Sequence, residues 1–371
     1  MALPQPHHIH CSPVALPSLG VAGPEFSRFL HGRGRCTSEV RLTAIYMGIF
    51  CMKARTRLKR RSTERSTGFQ SRRHLGVSVI CTTVGASKAL AARAPSLSAV
   101  PGIGLGTCCL KGQDSFQQVL NGLQLGYRFI DTASHYDNES DVAQAVRESQ
   151  VQREDVFLVT KIWFDDMGEK APEAILESLK RLDTEYVDLL LMHFPGANDA
   201  LQSPSANRKR RETTWRAMEE AKSSGRAKSI GVANFTRRHL KEMFEYCREP
   251  PSVLQTEIHP YFQQTKLVEF AVQKGLQVQS FSPLAHGELN LLEDKVLKSI
   301  AATHQKSTAQ VVLRWLLQKS ILPIVFSRSR QRLAENLDTN FQLSSGDMDR
   351  ISFLDRDMAE ARVGFDPNLI A

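Results

Sequence analysis

Cysteine pairs, long apolar runs and, at the front of the chain, acidic residues are all in short supply, and each shortage excludes something. Seven cysteines stand at positions 11, 36, 51, 81, 108, 109 and 247, an odd number with no C-x-x-C pair. That spacing does not describe a disulfide scaffold, and reduced thiols in an intracellular compartment are the simplest expectation. The longest largely apolar run, Leu42–Met52, covers 11 residues, about half the length a helix needs to cross a bilayer. No transmembrane helix and no membrane partner is expected. Residues 1–95 hold 15 Lys/Arg against 3 Asp/Glu, a surplus of +12. The remainder holds 48−15 = 33 basic and 39−3 = 36 acidic residues, so the overall +9 belongs to the front. A nucleic-acid partner would need a basic face on the folded part, and none is expected there.

The front segment, residues 1–95, is rich in Arg, Ser, Thr and Ala. It contains Met52-Lys-Ala-Arg-Thr-Arg-Leu-Lys-Arg-Arg61. This is the composition of an organelle transit peptide, which is left out of fold reasoning. A cationic, acid-poor segment cannot bury enough apolar surface to fold alone and is expected to be disordered. Plastid and mitochondrion are not distinguished. The alternative is a non-native leader, with Met47 or Met52 as the true start and a cytoplasmic protein.

From residue 96 the pattern is α/β. Strand candidates are Gly102–Gly106, Tyr127–Asp131, Val156–Lys161, Val187–His193, Ser229–Ala233, Val253–Glu257, Leu276–Phe281 and Ile321–Phe326. Several lack polar alternation, as parallel strands buried on both faces do. Between them apolar residues recur at helical spacing, as in Leu240, Met243, Phe244 and Cys247. Gly126, Gly225 and Gly275 stand where helices should end. Eight such units over 96–371 predict a (β/α)8 TIM barrel; a doubly wound sheet is the alternative. Gly102-Ile-Gly-Leu-Gly106 has the wrong spacing for a dinucleotide fingerprint and reads as a tightly packed first strand. Units four and seven are long, so Pro195–Arg211 and Pro283–Asp294 are expected as loops over the barrel's C-terminal mouth.

Polar residues stand at three consecutive strand ends: Asp131, Lys161 and His193, with Tyr136 five positions past Asp131. In a barrel they share one sector of the rim. A phenol has a pKa near ~10. A neighbouring ammonium is expected to lower it, a carboxylate to hold the ammonium, and an imidazole to orient a carbonyl. Together they make a general acid for carbonyl reduction. Taken singly, each has a structural explanation: a strand cap, a rim charge, a core histidine, a packing ring.

The chain resembles the aldo-keto reductases. The motifs are Gly102-Ile-Gly-Leu-Gly-Thr107, Gly126-Tyr-Arg-Phe-Ile-Asp-Thr-Ala133 with Tyr136-Asp-Asn-Glu139, Val159-Thr-Lys-Ile-Trp163, Asp188-Leu-Leu-Leu-Met-His-Phe-Pro195, Ile230-Gly-Val-Ala-Asn-Phe235 and Gln255-Thr-Glu-Ile-His-Pro260. The resemblance implies a catalytic tetrad at Asp131, Tyr136, Lys161 and His193, and NADPH, less often NADH, held across the mouth. Asp131 would also adjoin the cofactor, Asn234 and Gln255 would meet its carboxamide, and Phe281 would stack on the ring. Ser282 and Leu284 would approach the pyrophosphate. Ser327, Arg328 and Arg332 would meet phosphate and adenine, with Glu335 and Asn336 at the adenine. Trp163 would line the substrate pocket with Tyr136 and His193. Ala233 replaces a common Ser, and Phe326 replaces the Lys that usually meets the 2′-phosphate.

The resulting expectation is a monomeric NADPH-dependent oxidoreductase reducing a small aldehyde or ketone, with no metal. Two rivals remain. One is a non-catalytic NADPH-binding regulatory barrel. The other is an aldolase using Lys161 as a Schiff-base amine.

Overall fold

The computed structural model describes residues 102–196, 203–356 and 359–370. The expected leader over 1–95 and its disorder lie outside the described residues, as does the stretch 197–202 of the Pro195–Arg211 segment.

Eight strands close a parallel barrel in chain order: β1 (Gly104–Gly106), β2 (Phe129–Asp131), β3 (Phe157–Ile162), β4 (Val187–Met192), β5 (Ala227–Ala233), β6 (Val253–Glu257), β7 (Gln277–Phe281) and β8 (Ile321–Val325). The ring closes where β1 pairs with β8, Gly104 opposite Ile324 and Leu105 opposite Val325. Single helices follow the first six strands: α1 (Gln113–Leu125), α2 (Glu139–Glu148), α3 (Ala171–Arg181), α4 (Pro204–Ser223), α5 (Arg237–Tyr246) and α6 (Thr265–Gln273). Two follow β7, α7 (Lys295–His304) and α8 (Thr308–Gln318), and two follow β8, α9 (Arg330–Leu337) and α10 (Ser345–Ser352). The second helix after β7 accounts for much of the length of unit seven; Pro283–Asp294 itself holds two short 3-10 turns.

The run Pro195–Arg211 is not loop throughout. Pro204 opens α4, with Ser203 capping it by accepting from the backbone of Ala206 at 3.2 Å. Proline suits the first turn of a helix because its missing N–H has no partner there in any case.

Strand side chains alternate between two cores. Phe129, Val159, Leu189, Leu191, Ala233, Val253 and Ile324 fill the barrel interior. Their chain neighbours Ile130, Leu158, Leu190, Val232, Leu254 and Val325 face outward and pack with the helices, including Val119 and Leu123 of α1 and Leu240 and Met243 of α5. Both faces are buried, so both sets are apolar. The interior is tight: a Cβ on Gly104 would stand 3.0 Å from the Phe129 ring, and one on Gly231 would stand 2.7 Å from the carbonyl oxygen of Val253. The glycines of the first strand are therefore packing residues.

The same alternation carries the site. Two positions beyond Phe129 on β2 lies Asp131, two beyond Val159 on β3 lies Lys161, and two beyond Leu191 lies His193. Gln255 stands likewise beyond Val253. Inward-facing positions turn from apolar to polar at the C-terminal mouth, the end where barrel chemistry is carried out.

Candidate active site

Lys161 is 1% exposed, and its ammonium has three acceptors. Nζ donates to Asp131 Oδ1 at 2.5 Å, to the carbonyl oxygen of Thr132 at 2.9 Å and to Tyr136 Oη at 3.4 Å. Three N–H groups on three acceptors satisfy the cation and leave it no lone pair. That disfavours the Schiff-base rival, which needs a free amine.

Asp131 is buried and held on both oxygens, since Gln255 Nε2 donates to Oδ2 at 2.8 Å. The same Gln255 amide reaches Gln279 Oε1 at 3.1 Å, while Gln279 Nε2 is buried without a partner. A polar chain thus crosses the barrel from Lys161 through Asp131 and Gln255 to Gln279. Gln279 had a single signal in the sequence, a polar residue inside a buried strand, and was not among the expected site residues.

Tyr136 is placed by backbone geometry. A 3-10 turn, Ser134–Tyr136, follows β2, and Ser134 Oγ donates to the carbonyl oxygen of Lys161 at 3.1 Å. Asp137 then takes φ 54°, and Asn138 Nδ2 bridges the carbonyls of Thr107 and Leu110 at 2.8 and 2.9 Å. The segment carrying Tyr136 is therefore tied both to β3 and to the turn after β1.

The phenol does not follow the expectation from its neighbour alone. Burial pushes Tyr136 well above its ordinary value of 10.0, with Cys108 and Asp131 acting in the same direction, and Lys161 does not reverse it. A phenol buried this way keeps its proton at neutral pH, which is the form an acid must start in. The ammonium then favours the phenolate that proton transfer leaves behind.

His193 is also buried. Burial, then the charges of Lys161 and His135, hold its imidazole well below the usual 6.5, so it is neutral. Nδ1 is buried without a partner, and the ring lies edge-on to Tyr136 with centroids 5.6 Å apart. Trp163, half-buried, meets His193 edge-on at 4.9 Å and Phe194 at 5.5 Å, and stacks on His135 at 3.7 Å. Phe194 in turn meets Phe365 at 5.7 Å. Phe365 comes from the far C-terminus: the buried carboxylate of Glu257 accepts the backbone N–H groups of Val363 and Gly364 at 2.7 and 2.8 Å, fixing that segment beside the mouth. His135 and Phe365 were not foreseen, the second because nothing local in sequence ties it to β4.

The residues expected at a cofactor lie around the rest of the rim. Asn234, at φ 62°, donates from Nδ2 to the carbonyl oxygen of His193 at 3.0 Å. Phe281 ends β7 half-buried, Ser282 Oγ pairs with His286 Nε2 at 2.7 Å, and Leu284 is half-buried. Ser327 is buried and accepts from the backbone N–H of Ser329 at 3.1 Å. Arg328, Arg332 and Glu335 are exposed, whereas Asn336 is buried. Arg330 and Arg332 stand in the first turn of α9, which has no acid there. Cations at a helix N-terminus oppose its dipole, and a bound anion would relieve that conflict. The donor set therefore fits a phosphorylated cofactor: amides, an aromatic face, and a cationic helix start.

The model of the aldo/keto reductase family matches residues 102–356. Glyoxal reductase of Bacillus subtilis (strain 168) is 38% identical over 272 residues, covering 72% of this chain and 93% of that protein. Methylglyoxal reductase of Escherichia coli (strain K12) is 36% identical over 270 residues, covering 72% and 94%. The crystal structure of a Bombyx mori aldo-keto reductase in complex with NADP matches with TM-score 0.66 at 31% identity, covering 72% of this chain and 92% of that one. With the family model matched over residues 102–356 and an eight-stranded parallel barrel that gathers Asp131, Tyr136, Lys161 and His193 at one mouth, this chain belongs to the aldo/keto reductase family.

Proposed function

We propose that the protein is an NADPH-dependent carbonyl reductase acting on small aldehydes, α-oxoaldehydes and ketones, with Tyr136 as the general acid. The observation that carries this reading is the Lys161 ammonium, whose third acceptor is the phenol oxygen 3.4 Å away.

Asn234 and Gln255 would hold the nicotinamide carboxamide, Phe281 its ring, and Ser282, Leu284, Ser327, Arg328 and Arg332 the phosphates, with Glu335 and Asn336 near the adenine. When bound, NADPH supplies the hydride that the carbonyl carbon accepts. The neutral His193 donates a hydrogen bond to the carbonyl oxygen and fixes its direction. Tyr136 gives its proton to that oxygen as negative charge builds there. Lys161 stabilises the phenolate that results, and Asp131, held by Gln255, keeps Lys161 in place. Trp163, Phe194 and Phe365 form an apolar wall that excludes water and suits small substrates. The exposed arginines support NADPH over NADH. The names of the relatives, glyoxal and methylglyoxal reductase, support α-oxoaldehydes as a substrate class.

The test is NADPH oxidation by the purified chain over a panel of aldehydes, α-oxoaldehydes and ketones. Tyr136→Phe should lose turnover by about 10²–10⁴-fold, the range of general acid catalysis. Its quenching of NADPH fluorescence should persist. Wild-type protein that quenches NADPH but reduces nothing in the panel would establish the regulatory reading instead.

A further inference from the structure

The turn between β1 and α1 carries two adjacent cysteines that the proposed reaction does not use. Cys108 is half-buried and Cys109 is exposed, at φ 70°. Their sulfurs lie 2.9 Å apart, close enough for one thiol to hydrogen-bond the other. Arg328, on the loop after β8, acts electrostatically on Cys109. We propose that Cys108 and Cys109 form a redox-modification site for hydroperoxides, with Cys109 the attacking thiol and Cys108 the resolving one.

The division of roles follows from the surroundings. The hydrogen bond between the two thiols, together with the Arg328 guanidinium, draws the Cys109 thiol down to about 7 against the opposing effect of burial. The same bond and burial push Cys108 up. The exposed sulfur is therefore substantially thiolate at neutral pH, and the reactive species of a cysteine is its thiolate. A low-pKa, accessible cysteine beside a second thiol is the arrangement that peroxide sensing requires.

The chemistry balances with the hydroperoxide as oxidant. The Cys109 thiolate attacks one peroxide oxygen, the O–O bond breaks, an S–O bond forms, and the alcohol or water leaves with a proton. Cys108 then gives up its proton and attacks the sulfenic sulfur; an S–S bond forms, the S–O bond breaks and water leaves. Two thiols lose two electrons and the peroxide gains them. Neighbouring Cα atoms are about 3.8 Å apart, below the usual disulfide span of about 4.4–6.8 Å, so the bridge belongs to the readily reduced kind.

The site also has a route to Tyr136. Asn138 grips the carbonyls on either side of the pair, Thr107 and Leu110, and lies two residues from Tyr136. Closing the bridge tightens the turn Asn138 holds and shifts the phenol from its place beside Lys161. This consequence for turnover rests on the carbonyl-reductase reading; the thiol chemistry does not.

The experiment treats the reduced full chain with limited hydrogen peroxide, alkylates what remains, and reads each cysteine peptide by mass. The peptide spanning Cys108 and Cys109 should lose two hydrogens and resist alkylation. Cys247, whose thiol burial pushes up, should remain alkylatable. A thiol at about 7 is about half ionised at pH 7 against about 1% at 9, so the pair should react at least about tenfold faster than Cys247. Dithiothreitol should reverse the change, and NADPH-dependent turnover should fall severalfold on oxidation and recover with it. Cys108→Ser should stop at a sulfenic acid on Cys109 that a cyclic 1,3-diketone traps. Cys109→Ser should leave Cys108 alkylatable and turnover resistant to peroxide. A pair that stays alkylatable while Cys247 oxidises, or a Cys108 that oxidises as fast without Cys109, overturns the assignment. Bridged protein with unchanged turnover overturns the link to Tyr136. Reduced protein with no turnover at all refutes the reductase reading, and the peptide masses still decide the thiol chemistry.

Discussion

Replacing Lys161 by methionine removes the ammonium and keeps most of the volume, so it isolates what the charge does. The phenolate formed by proton transfer would lie 3.4 Å from that charge. At an effective dielectric constant of about 20, two unit charges at this separation attract by about 5 kcal/mol. The attraction exists only once the phenol has given up its proton, so it lowers the barrier and not the ground state. Its loss should reduce kcat by about 10³-fold or more, at about 1.4 kcal/mol per factor of ten. The variant also leaves Asp131 buried with Gln255 as its remaining side-chain partner, and removing one half of a buried pair costs about 3–5 kcal/mol of stability. Asp131→Asn combined with Lys161→Met removes both charges; it should regain most of the melting temperature and none of the turnover. The assay is single-turnover NADPH oxidation at saturating cofactor, with melting curves alongside. A Lys161→Met enzyme within tenfold of wild type would refute the argument.

Two further outcomes concern the scaffold. His239 is buried against Arg211 and Arg238, and its Nε2 donates to the carbonyl oxygen of Ile370, 3.2 Å away; burial and then those arginines hold it down to about 3 from 6.5. Between these two values the unfolded chain binds a proton that the folded one does not, so stability should fall as pH drops through that window, by up to about 1.4 kcal/mol per pH unit. His239→Gln should flatten the fall in melting temperature between pH 6.5 and 4; an unchanged slope would remove His239 from the explanation. Gly231→Ala places a methyl 2.7 Å from the backbone of β6 and 2.9 Å from Leu191, and should cost about 1–3 kcal/mol in chemical denaturation. A variant as stable as wild type would show that the barrel can relax at this point.

Much of this was legible before the structure, for a physical reason. Strands buried on both faces read as unbroken apolar runs, and a polar residue ending such a run stands out, as Asp131, Lys161 and His193 do. What escaped depends on contacts between distant segments. Gln279 matters because β7 passes beside β6, and Phe365 because Glu257 anchors a segment 107 residues later in the chain. The direction of the Tyr136 shift turns on how completely the fold buries the ring, which a list of neighbours does not give. Pro195–Arg211 was expected as loop because unit four is long, whereas Pro204 opens α4 behind the Ser203 cap.

The most direct test of the central claim is the fate of a labelled hydride. NADPH carrying deuterium at its transferable position is incubated with methylglyoxal or another small aldehyde and the wild-type chain, and the alcohol is weighed by mass spectrometry. One deuterium is expected on the former carbonyl carbon, in an alcohol that wild type forms and Tyr136→Phe does not. An alcohol without the label, or labelled alcohol formed equally well without the phenol, would contradict the claim.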